Sequence, residues 1–139
     1  IEERTIAYYD EAVKTSVRRL QPVTSYYHKD TRLDKFGGTA LTGVQVFMGN
    51  KIPALTGSVV FTDLARKEES QSPDRGVLAY TKIGTNDYSV IQTDYNFGSQ
   101  SAYYVSLGTN LEQTILYLGV YGSKKVTDMK QGTVFGIML

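Results

Sequence analysis

His28, Asp94 and the adjacent pair Glu68-Glu69 are the side chains of this 139-residue chain whose types could move a proton. An imidazole serves as a general base when a second group orients it, and a carboxyl serves as an acid when burial lifts its pKa. His28 stands in His28-Lys29-Asp30, three neighbours at a strand end whose side chains have no spacing that focuses them, so it reads as a surface residue. Asp94 falls inside a strand-like run. Buried there it would be a candidate catalytic carboxyl; at the end of a strand it would accept amides of the following turn, the commoner use of Asp. Glu68-Glu69 belongs to the most charged segment and reads as solvated. Gly37-Gly38 lacks the downstream Lys and Ser or Thr of a phosphate-binding loop. Cysteine is absent, which excludes disulfides, thiolate metal sites and cysteine nucleophiles. The expectation is a protein without catalytic residues, metal ligands or a cofactor.

Fifteen basic against fourteen acidic side chains leave a formal charge of +1, too weak a field to draw phosphate polymers, so no nucleic-acid partner is expected. No uninterrupted apolar run approaches the roughly 20 residues of a membrane span, which predicts a soluble chain. An extracellular location is expected; Ile1 in place of Met is the trace that signal-peptide removal, cleavage from a polyprotein or a start inside a longer chain would each leave. Length and a 41% hydrophobic content predict one domain over residues 1–139. Tyrosine is the outlier, with eleven against five Phe and no Trp. Phenol rings bury area yet keep a hydroxyl, which suits a barrel interior, a sheet surface or an interface, and strand propensity alone is the plain alternative.

The elements that must position these residues are read from periodicity. Ile6, Tyr9, Val13, Val17 and Leu20 recur at helical spacing, acidic residues lead, basic ones trail and Pro22 closes the run. This predicts an amphipathic helix over Thr5 to Leu20, within an N-terminal segment 1–22, against the alternative of a strand starting at Thr5. From Val23 strand and turn alternate: Val23 to His28, Ala40 to Met48, Ser58 to Thr62, Val77 to Ile83, Tyr88 to Asp94, Ala102 to Leu107, Ile115 to Tyr121 and Val134 to Leu139. Asp63 to Arg75 reads as an exposed charged loop. About eight strands over residues 23–139 predict an all-β fold, an antiparallel meander closing a barrel, with a jelly-roll sandwich as the alternative.

Tyr88-Ser-Val-Ile-Gln-Thr-Asp-Tyr95, followed by the aromatic strand Ala102-Tyr103-Tyr104-Val105-Ser106-Leu107, resembles the lipocalin family, which carries a Thr-Asp-Tyr turn before such a strand. Ile115 to Lys124 is similar to that family's eighth strand, and Gly57 to Asp63 and Gly76 to Tyr80 to its middle strands. The Gly-x-Trp with which the family opens has no counterpart here. The resemblance implies a non-catalytic carrier that transports or sequesters a small apolar molecule inside the barrel. Aligned on that turn, strand alternation turns Tyr88, Val90 and Gln92 inward and Ile91 outward, and adds Tyr104, Ser106, Tyr117 and Tyr121 as ligand-binding liners. The same residues filling a closed core is the competing expectation. Separately, Gly132-Thr-Val-Phe-Gly-Ile-Met-Leu139 resembles the last strand of tumour-necrosis-factor-like and C1q-like jelly rolls. That implies a self-assembling structural or recognition module, of the kind viral coat and spike domains also provide, with a homo-oligomer as partner.

Overall fold

The computed structural model describes residues 9–10, 15–16, 22–27, 36–66, 74–85, 87–95, 97–98, 100–123 and 132–138. His28 and Glu68-Glu69 lie outside them. The fold is all-β and antiparallel. β1 (Tyr9–Asp10) and β2 (Thr15–Ser16) form a small pair, with Tyr9 opposite Ser16 and Asp10 opposite Thr15. This corrects the helix expected over Thr5 to Leu20. Tyr and Thr favour the extended backbone, and pairing with a neighbour outweighs an apolar spacing that only a helix would use.

Four strands build the first sheet in the order β3 (Leu41–Phe47), β4 (Ser58–Asp63), β5 (Val77–Lys82) and β6 (Ser89–Val90). Three build the second: β7 (Ser101–Thr109), β8 (Leu116–Ser123) and β9 (Gly132–Ile137). Every neighbour within these two sheets is consecutive in the chain, so each is a meander without crossover. The expected barrel does not close. Of the run Tyr88 to Asp94, Ser89 and Val90 alone are laddered, opposite Tyr80 and Ala79, which is too short an edge to carry the sheet round to β7. Val23 to Tyr27 likewise joins no ladder, and its carbonyl end is held where the Gly38 amide donates to the Tyr27 carbonyl at 3.1 Å.

β4 is the centre of the molecule. Its side chains alternate between two cores. On one side Val60 joins Phe47, Leu55 and Leu78 against Ala102, Tyr104, Leu116, Leu118 and Val120 of the second sheet. On the other, Phe61 joins Phe36, Val77, Ala79 and Tyr88, with Tyr26 laid over them. A charge on a strand buried on both faces is costly unless it is bonded, and Asp63, expected in an exposed loop, is the charged residue of β4. It is 0% exposed at the end of β4. The Tyr26 hydroxyl donates to its Oδ2 at 2.6 Å, and the amides of Thr39 and Ala65 donate to Oδ1 at 2.9 and 3.1 Å.

The two sheets are tied along one seam. β3 packs against β7, where Gly43 lies so close to Leu107 that a side chain would not fit. The Thr42 hydroxyl donates to the Tyr104 carbonyl at 2.7 Å. Below it the Gly76 amide donates to the Ala102 carbonyl at 2.6 Å, and the Ala102 amide donates to Asp74 at 2.9 Å. The opposite seam, between the chain following β6 and strand β9, has no such ladder among the described residues.

Candidate functional site: an apolar cleft between the sheets

The open seam leaves a cleft of about 570 Å³. One wall comes from Leu78 and Tyr80 of β5 and from the extended stretch Val90 to Tyr95. The facing wall comes from Leu116 and Leu118 of β8 and from Phe135 to Ile137 of β9, and the turn Pro53–Leu55 closes the floor with Ala54, Leu55 and neighbouring Ile52. The walls are apolar because these are the inward positions of each strand: Leu118 stands opposite Phe135 and Leu116 opposite Ile137, so all four share a face.

One end is aromatic. The Tyr95 ring lies 4.8 Å from Phe97 and 4.6 Å from Phe135, and Phe97 stands 6.3 Å from Tyr104, centroid to centroid. Arg75 fixes this end from behind. Its guanidinium carbon is 5.6 Å from the centre of the Phe97 ring, and its nitrogens donate to the carbonyls of Gly98, at 2.7 Å, and Gln100. Among the described residues Asp94 is the one charged side chain on the lining, exposed at the mouth beside Gln92 and Thr93. Burial raises the Tyr104 phenol above its ordinary range, with a hydrogen bond to Thr93 and the Arg75 charge opposing in lesser measure, so Tyr104 presents a neutral ring.

The seven residues expected to line a ligand site are divided. Val90, Gln92 and Tyr104 are on the cleft. Tyr88, 4% exposed, belongs to the other core, where its hydroxyl accepts the Phe36 amide at 3.4 Å. Tyr117 and Tyr121 point from the outer face of β8, each 39% exposed, and Ser106 is exposed on the same face beside Gly119. Ile91, expected outward, lines the cleft and packs on the core between the sheets, whereas Tyr88 and Val90 pack on the other core, so the alternation continues through Ile91 with its two faces exchanged relative to the expectation. Sequence reading missed Ile52, Ala54, Tyr95, Phe97 and Phe135. The aromatic turn Tyr95-Asn96-Phe97 was the available signal.

Among the described residues no group of three or more His, Asp or Glu side chains is placed to hold a metal ion. No described helix is long and apolar enough to cross a membrane, which says nothing of spans made by strands. No family model, curated protein or solved structure matches this chain.

Proposed function

We propose that the protein is a non-catalytic binding protein that holds a small apolar ligand, with the guest lying between two sheets in place of a barrel interior. The observation that carries this reading is the cleft itself. Its 570 Å³ falls in the range of roughly 300–1,000 Å³ typical of small-molecule sites, and its walls combine aliphatic and aromatic side chains with a few polar groups at the mouth. Burial of apolar ligand surface supplies the affinity at roughly 25 cal/mol per Å². Gln92, Thr93 and Asp94 give a polar end of the ligand its orientation, so an amphiphilic guest with a donor or cationic head fits better than a plain hydrocarbon.

Ala54 provides the test. It is exposed on the cleft floor, so Ala54→Trp fills the space without opening a cavity in the core. The uncharged environment-sensitive dye N-phenyl-1-naphthylamine, whose amine N–H offers a donor, should bind the wild-type protein saturably with one site per chain. The variant should lose at least about tenfold in affinity while keeping its thermal midpoint. Dye binding unchanged by the tryptophan would remove the cleft as the ligand site.

A further inference from the structure

The two large sheets have four edges, and three are guarded. β3 carries a register shift between Leu41 and Gly43 and lies against β7. β6 has two residues. β7 is bulged between Tyr104 and Ser106 and bonded across to Asp74 and Gly76. Bulges, shortness and cover are the usual means by which proteins stop a sheet from adding strands. Among the described residues β9 has none of them. It runs six residues, its register with β8 is unbroken from Leu116 opposite Ile137 to Tyr121 opposite Gly132, and Gly132-Thr-Val-Phe-Gly-Ile137 holds no charge and no proline. No described residue pairs with its outer edge, and Val134 is 70% exposed.

We infer that β9 is a self-association edge, through which two copies of this chain pair antiparallel about a twofold axis into a continuous six-stranded sheet. A second copy is the occupant the strand itself specifies. Centred on Val134, antiparallel pairing sets Val134 opposite its own copy, Thr133 opposite Phe135 and Gly132 opposite Gly136. Every pair keeps its face, so both Phe135 rings stay on their clefts, and an uncharged strand meets itself without like-charge repulsion. Because the other three edges are guarded, pairing closes at two copies and does not propagate. The inference does not rest on what the cleft binds, although β9 also forms one wall of the cleft.

Sedimentation velocity on the whole chain, from micromolar to millimolar concentration, tests it together with hydrogen exchange. The wild-type protein should pass from monomer to dimer, and the amides of residues 132–137 should exchange more slowly as the dimer fills. Val134→Lys, a change at an exposed position, should raise the dissociation constant at least about tenfold and leave the circular dichroism unchanged. A monomer throughout the range, a dimer indifferent to the lysine, or growth beyond two copies would each overturn the inference. Concentration-dependent protection in the wild-type protein decides the matter even where the variant fails to fold.

Discussion

Asp63 shows how one residue can organise an end of the protein. A carboxylate with no exposure survives because Tyr26, Thr39 and Ala65 donate to it, and those bonds fasten the segment around Tyr26 to β4. Tyr26→Phe removes one of these donors and should cost about 1.5–3 kcal/mol, the range for a bond to a charged group, measured by urea unfolding. The same phenol gives a pH dependence. Burial first, then its bond to Asp63, pushes the Tyr26 pKa well above the ordinary tyrosine value. The unfolded chain therefore loses this proton at lower pH than the folded one, so the contribution of Tyr26 to stability is fully present below about pH 10 and is lost as pH rises beyond it. In Tyr26→Phe that alkaline fall should be shallower; an identical slope would show that the phenol is not the group responsible. Asp63 was legible in the sequence as a charge, but its burial was not, because two of its three donors, Thr39 and Tyr26, lie 24 and 37 positions away.

Among the elements, the contact between β3 and β7 decides which seam of the molecule is closed. It depends on Gly43, whose missing side chain lets β3 reach β7: a Cβ there would stand 2.8 Å from both the Cβ and the backbone amide nitrogen of Leu107. Gly43→Ala should therefore destabilise the fold by about 1–3 kcal/mol or more, read as a lowered midpoint in chemical denaturation. The same substitution at Gly108, with open space around its Cβ position, should cost less. Strand positions were largely readable from the alternation of apolar residues and from Gly and Asn turns. The exceptions are instructive. At the N-terminus helical spacing lost to strand pairing between Tyr9–Asp10 and Thr15–Ser16, and beyond Ile91, whose amide still donates to the Leu78 carbonyl, a strand-like sequence joins no ladder among the described residues.

For the whole molecule, core and cleft share the same side chains. Leu116 is 0% exposed and lies both in the core between the sheets and on the cleft wall. Leu116→Ala should lower stability by about 2–5 kcal/mol, whereas Ala54→Trp should leave stability alone and act on binding. Calorimetric unfolding of the two variants side by side separates the roles, and equal losses would show that the cleft floor is structural.

The sequence by itself determined the all-β antiparallel class, most strand positions and the concentration of tyrosine, because side-chain alternation and turn propensity act within a few residues. It also carried Val90, Gln92 and Tyr104 to the cleft. Tertiary structure alone decided that the strands part into two sheets, that Tyr88 belongs to a second core, and that one seam stays open between Val90–Tyr95 and β9. Each of those outcomes depends on which distant strand edges find one another, and an edge's partner is set by packing across the core and not by the residues beside it in the chain.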